Sequence, residues 1–194
     1  MENLIKFLPI VCLVLVFAMT PSSYAAGEWS IGGDIGFYSA SQSGGIFPDG
    51  SNLSTLGFGA ELDYVLNPIW EVGIEYIRST ASSKTDPIIG ITEYAARSSR
   101  IMMNLLYHFS DDLSPLYIGA KIGLGTRAIT ATGVNVDLSA VNTRSFAFGA
   151  TAGYDYMFKN TALSVGPKAD FVVQSFSPAS VTNLDFLVTF KYHL

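Results

Sequence analysis

An all-β fold of antiparallel strands is what this sequence predicts, and three observations predict it. Apolar residues recur at every second position through most of the chain, the period of a strand with two unlike faces. The segments carrying this alternation are separated by turn-forming residues such as Asn67-Pro68 and Lys159-Asn160. Charged residues make up only 14 % of the 194 residues, against about 25 % in ordinary soluble domains. Such a chain, with no long apolar block beyond its first residues, must carry its hydrophobicity on one face of its strands.

The first residues stand apart. Lys6 precedes an apolar run from Phe7 to Met19, too short to cross about 30 Å of hydrocarbon, which takes roughly 20 helical residues. Pro21 follows, and Ser23 and Ala25 are the small residues before a cleavage site at Ala26. Residues 1–25 are therefore expected to be a cleaved secretory signal peptide, and residues 26–194 a single domain. The one cysteine, Cys12, lies in the apolar run, so no disulfide is expected in the exported chain. The formal net charge is −5 with Lys and Arg scattered, which argues against nucleic acid as a partner.

Eight strands of about ten residues are expected, the length that crosses a bilayer at a tilt of about 45°. In the first, Trp29, Ile31, Ile35 and Phe37 oppose Ser30, Gly32, Asp34 and Gly36. In the second, Phe58, Ala60, Leu62, Tyr64 and Leu66 oppose Gly57, Gly59, Glu61, Asp63 and Val65. The third sets Trp70, Val72, Ile74 and Tyr76 against Glu71, Gly73, Glu75 and Ile77. The fourth sets Ile101, Met103, Leu105, Tyr107 and Phe109 against Arg100, Met102, Asn104, Leu106 and His108. The fifth sets Leu116, Ile118, Ala120, Ile122 and Leu124 against Tyr117, Gly119, Lys121, Gly123 and Gly125. In the sixth, a continuous strand over 146–158, Phe146, Phe148, Ala150, Ala152, Tyr154, Tyr156 and Phe158 share one face. The seventh opposes Leu163, Val165, Pro167, Ala169 and Phe171 to Ser164, Gly166, Lys168 and Asp170. The eighth opposes Leu184, Phe186, Val188, Phe190, Tyr192 and Leu194 to Asp185, Leu187, Thr189, Lys191 and His193.

Connections are expected to alternate between a few residues and roughly ten to eighteen, the long ones rich in Ser, Thr, Gly and Ala. That asymmetry fits a membrane barrel with short periplasmic turns and longer extracellular loops. The apolar rows carry Trp, Tyr and Phe near strand ends and smaller aliphatics between, the pattern of aromatic girdles around a lipid-facing band. The opposite rows are rich in Gly and carry the charges. A soluble barrel would seldom expose so many strand-weakening glycines, whereas a narrow lumen filled by side chains needs them. The predicted fold is thus an eight-stranded antiparallel up-and-down transmembrane β-barrel with its apolar face outward. In lipid no strand edge is left unpaired, so the last strand is expected to pair with the first.

At this point the sequence resembles a known family, the small eight-stranded outer-membrane barrels such as OmpX, Ail and the OmpA membrane domain. The resemblance rests on the alternation and on the terminal strand. It implies an outer-membrane location in a Gram-negative bacterium. It also implies recognition of the last strand by the barrel assembly machinery, through Phe186, Val188, Phe190, Tyr192 and Leu194. Leu194 stands where that signal usually has Phe.

The candidate site is a lumen charge network. Glu61, Asp63, Glu71, Glu75 and Asp170, with Asp34 and Asp155, face Arg100, Lys121, Lys168 and Lys191. Buried charges persist when they are paired, so a salt-bridged plug is expected, with a narrow channel as the alternative. A lipid A-modifying enzyme is the lesser alternative. His108-Phe109-Ser110 has the residue types of a His-x-Ser pair, but its His points into the lumen and its Ser lies at a periplasmic turn. No catalytic residue, metal or cofactor is expected, since two histidines without a mature cysteine make no soft-metal cluster. Arg78, Arg97, Arg127 and Arg144 lie near the strand mouths, where lipopolysaccharide phosphates could meet them. Apolar residues at Ile46-Phe47, Ile88-Ile89, Val134, Val136 and Phe176 are strand extensions or a contact surface for another molecule. The expected protein is a monomer in contact with outer-membrane lipid, with a structural or adhesin-like surface role.

Overall fold

A computed structural model describes residues 27–43, 52–86, 91–109, 115–133, 136–159, 161–176 and 179–194. The expected signal peptide lies outside the described residues. The strands are β1 (Trp29–Ser43), β2 (Asn52–Asn67), β3 (Trp70–Asp86), β4 (Ile91–His108) and β5 (Leu116–Gly133). They continue as β6 (Val136–Tyr154), β7 (Tyr156–Met157), β8 (Leu163–Phe176) and β9 (Ala179–His193). Every pairing is antiparallel, and β1 pairs with β9 as well as β2, so one sheet closes on itself.

The barrel has eight staves because β6 and β7 together form one of them, both pairing with β8. The continuous sixth strand expected over 146–158 is corrected here: it breaks at Asp155. Asp155 donates its N–H to the Pro115 carbonyl at 2.7 Å, so the interrupted position keeps a backbone partner. The opposing residue is Gly166, where a Cβ would collide with the Tyr154 carbonyl oxygen. The chain closes up at the break because residue 166 has no side chain.

Strand tilt follows from the register. One row of paired residues runs from Gly32 through Glu61, Glu75, Met102, Gly123, Ala147, Gln174 and Val181 to Gln42. It returns ten residues up β1 (42 − 32), so the strands must lean against the barrel axis. At one end, tight turns reverse the chain. Asn67 accepts the N–H groups of Ile69 and Trp70 on its side-chain oxygen at 3.0 and 3.1 Å, an Asx turn that uses local geometry to hold β2 against β3. Aromatic rings gather outside this end, with Trp29 4.7 Å from Tyr64 and Trp70 5.2 Å from Tyr107 between centroids.

The opposite end departs from expectation. Long connections are expected there, but among the described residues the strands continue into them. β3 and β4 stay paired up to Asp86 and Ile91, and β5 and β6 up to Gly133 and Val136. Strands run to 17, 18, 18 and 19 residues in β3 to β6, not the ten expected. The reason is that backbone pairing outlasts the membrane, whereas the apolar period does not. Beyond the lipid belt both faces meet water, so Ser, Thr, Ala and Arg replace Leu and Phe while the ladder carries on. Val136 and Phe176 therefore belong to strands, while Ile46-Phe47, Ile88-Ile89 and Val134 lie outside the described residues.

The two faces are inverted relative to a soluble protein. Outward residues such as Leu124 and Phe186 are 67 % and 58 % exposed, while inward Glu75 and Asp170 are 0 % exposed. Closure rests on the β1–β9 seam, where Ile31 pairs with Tyr192 and Leu194 donates its N–H to the Trp29 carbonyl at 2.8 Å. Deleting Tyr192 to Leu194 is expected to abolish the heat-modifiable barrel band on a denaturing gel, whereas deleting Ile46 to Pro48 leaves it. Equal bands from the two deletions would contradict the seam's role.

Candidate functional site

The inward rows of eight strands converge on a bore just wide enough for side chains. All nine candidate lumen residues lie in it, each no more than 5 % exposed. Which carboxylate meets which cation depends on the strand lean, because a row of neighbours climbs as it goes round.

Nearest the tight-turn end, Lys191 on β9 sits among four carboxylates. Its Nζ is 3.0 Å from Asp63, 3.3 Å from Glu71, 3.3 Å from Asp155 and 3.6 Å from Glu61. Glu71 offers its other oxygen to His108 Nε2 at 3.1 Å. The Tyr117 ring lies 5.7 Å from the same ammonium, a cation–π contact in a desolvated place. Tyr117 fits because the neighbouring stave has Gly153, whose absent Cβ leaves room for the phenol.

One level up, Lys168 on β8 bonds Asp34, Glu61 and Glu75 at 2.9, 2.9 and 2.7 Å. Thr189 donates its hydroxyl to Asp34 at 2.5 Å. Lys121 on β5 bridges Glu75, at 2.6 Å, and Asp170. Glu75 thus gives one oxygen to each lysine, and Glu61 likewise joins Lys168 to Lys191. The result is one connected chain, Asp170–Lys121–Glu75–Lys168–Glu61–Lys191–Glu71–His108. Above it Arg100 on β4 pairs with Asp185 on β9, its guanidinium 6.0 Å from the Tyr38 ring. Small apolar clusters, Tyr38 with Ile77 and Leu187, and Met102 with Ala147 and Val172, pack beside this pair.

Three carboxylate oxygens of Asp34, Glu61 and Glu75 lie within 4.8 Å of one another, a spacing that could hold a metal ion. The cation in that cage is the Lys168 ammonium. Among the described residues, eight buried carboxylates (Asp34, Glu61, Asp63, Glu71, Glu75, Asp155, Asp170 and Asp185) face five buried Lys and Arg side chains. Acid therefore exceeds base by three, before His108 is counted.

His108 belongs to this network and is buried in the bore, away from lipid; Ser110 of the His-x-Ser pattern lies outside the described residues. His193 Nε2 is 2.9 Å from Ser164 Oγ near the tight-turn end. Asp185, Thr189, Tyr38 and Tyr117 also line the bore beyond the nine candidates. Alternation alone places them inward, but their partners cannot be read without the register. Of the mouth arginines, Arg127 is buried in the bore, while Arg78, Arg97 and Arg144 are exposed on the outer wall. A depression of about 560 Å³ also lies on the outer wall, among Trp70, Tyr107, Ala120, Ala152 and Phe171.

A closed all-β barrel with lipid-suited side chains outside and paired charges inside defines an outer-membrane β-barrel protein. The outer membrane protein beta-barrel domain family matches residues 8–192, and the chain belongs to that family. Its location is the outer membrane of a Gram-negative cell. The sequence matches no individually curated protein. Among solved structures, the chain is similar to Ail, the attachment invasion locus protein of Yersinia pestis, in complex with the heparin analogue sucrose octasulfate. Identity is 15 %, coverage is 87 % of this chain and 99 % of that one, and the TM-score is 0.61. Neisserial surface protein A is 16 % identical over 84 % of this chain and 96 % of that one, with a TM-score of 0.58. OprG of Pseudomonas aeruginosa is 12 % identical over 89 % and 98 %, with a TM-score of 0.51. These likenesses extend to the fold.

Replacing Lys168 by Met leaves the carboxylates of Asp34, Glu61 and Glu75 buried without their central cation. Removing one partner of a buried ion pair costs about 3–5 kcal/mol. Urea unfolding from lipid vesicles, followed by Trp fluorescence, is expected to show a loss of that order. A loss below about 1 kcal/mol would mean that Lys168 carries no such weight.

Proposed function

We propose that this protein is a non-catalytic, non-conducting barrel that holds a rim of paired strands above the outer membrane as a surface-interaction element. The observation that carries the reading is the connected chain of ion pairs across the bore, from Asp170 on β8 to His108 on β4. Side chains tied to several partners leave little freedom for a hydrated ion to pass, so the bore serves as a strut. What then varies is the rim, and binding specificity is usually carried on such exposed connections of a rigid scaffold.

The rim is uneven. β3 to β6 are the longest strands, at 17 to 19 residues, against 14 to 16 for β1, β2, β8 and β9. An adhesin-like contact is best placed on this tall wall. Ail, which shares the fold, is bound to a heparin analogue, so a sulfated saccharide is the first ligand class to try. Cells displaying the chain are expected to bind immobilised heparin, and deletion of residues 84–93 from the β3–β4 hairpin is expected to remove most of that binding. Unchanged binding after the deletion would refute the role of the tall wall.

One observation favours a second reading. The excess of buried carboxylates over cations is the composition of a cation-selective pore. Planar-bilayer recording separates the two: silence is expected from the intact chain. Conductance steps that change when Glu61 is replaced by Gln or Lys121 by Met would establish the pore instead.

A further inference from the structure

Where the apolar belt ends on the outer wall, the side chains change abruptly on one side of the barrel. Arg78 on β3 pairs in register with Ser99 on β4, Ser99 with Thr126 on β5, and Thr126 with Arg144 on β6. All four point outward, by the same alternation that points Tyr76, Ile101, Leu124 and Phe146 into lipid. Ser99 and Thr126 share a hydrogen bond between their hydroxyls at 2.8 Å. Arg97 lies two residues further up β4, beside this row. Arg78, Arg97 and Arg144 are exposed, and none makes an ion pair among the described residues.

Two contrasts give this row meaning. The described outward side chains of β3 to β6 include no carboxylate, so the guanidinium groups meet no counter-ion among them. On the other side of the barrel, the outward residues above the belt are Ser39 and Ser41 on β1, Ser175 on β8 and Thr182 on β9. Hydroxyls there, arginines here: the cationic sector is one-sided. The lysines divide differently, since Lys121, Lys168 and Lys191 are all in the bore. Among the described side chains, the outward cations above the belt are thus arginines, the side chain whose planar fork matches phosphate oxygens in pairs.

At that height the neighbour is the polar boundary of the outer leaflet. Arg78 and Arg144 are three strand spacings apart, about 14 Å at roughly 4.8 Å each, which is too far for one phosphate and suited to two. We propose that Arg78, Arg97 and Arg144, with the Ser99–Thr126 hydroxyl pair between them, form a one-sided binding row for the phosphates of a lipid A molecule. The lipid then lies against β3 to β6 with its acyl chains on the apolar belt below, and the tall wall rises beside its sugar. The row lies outside the barrel and uses no residue of the bore network.

The test uses the full chain in detergent micelles, titrated with bisphosphorylated lipid A and followed by native mass spectrometry. One bound lipid is expected, with affinity at least about tenfold weaker in the R78A/R97A/R144A variant, as expected on losing several charge-assisted contacts. Dephosphorylated lipid A is expected to bind the unaltered chain as weakly as that variant binds lipid A. Lys159→Ala, at the tight-turn end, is expected to change nothing. The heat-modifiable gel shift confirms that each variant is folded. Equal affinity for the two lipids, or no loss on replacing the three arginines, would overturn the proposal. Loss of heparin capture in the hairpin deletion bears on the rim alone, so the two readings fail separately.

Discussion

In hydrocarbon there is no water to satisfy a backbone N–H or C=O, so a sheet that enters it can have no edge. Every other feature of this barrel depends on that constraint. It requires β9 to pair with β1, which the register does from Ser30–His193 to Ser43–Ser180. Where the sixth stave breaks, the Asp155 N–H is met by the Pro115 carbonyl, and Gly166 lets the Tyr154 and Asp155 backbone come close. Closure with eight staves sets the bore, and the bore sets the side chains that can fill it.

A bore this narrow cannot be lined by large residues on every stave. Tyr38 lies over Gly57, where a Cβ would sit 2.5 Å from its ring, and Tyr117 lies over Gly153 in the same manner. Glycine on one stave is therefore the space that an aromatic ring, or a polar side chain such as Asp63 over Gly73 and Gln174 over Gly125, occupies from another stave. The long arms of Lys168 and Lys191 then reach carboxylates on β1, β2 and β3 across the lumen. Charges are tolerated at the centre of the bore because they are shared: Glu61 and Glu75 each serve two lysines, and the added attraction offsets the desolvation cost.

Much of this was legible in the sequence. Strict alternation placed Glu61, Asp63, Glu71, Glu75, Arg100, Lys121, Lys168, Asp170 and Lys191 on one face, because a period of two has no third option. The pairing of Glu75 with both Lys121 and Lys168 was not legible, since it depends on the ten-residue climb of each row around the barrel. The length of β3 to β6 was hidden for a different reason. Residues such as Ser79 to Ser83 and Thr92 to Ser99 have lost the apolar period, yet the backbone ladder between them needs none. The one-sided arginine row was visible as separate residues, Arg78, Arg97 and Arg144. Their adjacency emerges only when the registers of three strand pairs are combined.

The distribution of charge along the chain bears on how such a barrel settles on one register. Outward pairs across the seam are Ile31–Tyr192, Ile35–Val188 and Phe37–Phe186, all apolar and all facing lipid. A slip of two residues would keep lipid-facing side chains outside, so the outer face discriminates poorly between registers. The inner face does discriminate. β1 to β3 contribute Asp34, Glu61, Asp63, Glu71 and Glu75 to the bore and no Lys or Arg among the buried residues, whereas β8 and β9 contribute Lys168 and Lys191. The same slip moves the Lys191 Cα by about 7 Å along the strand, well beyond the 3.0 to 3.6 Å separations that join its ammonium to Asp63, Glu71, Asp155 and Glu61. Hydrophobicity therefore decides which face meets the membrane, and the buried ions decide which residues meet each other.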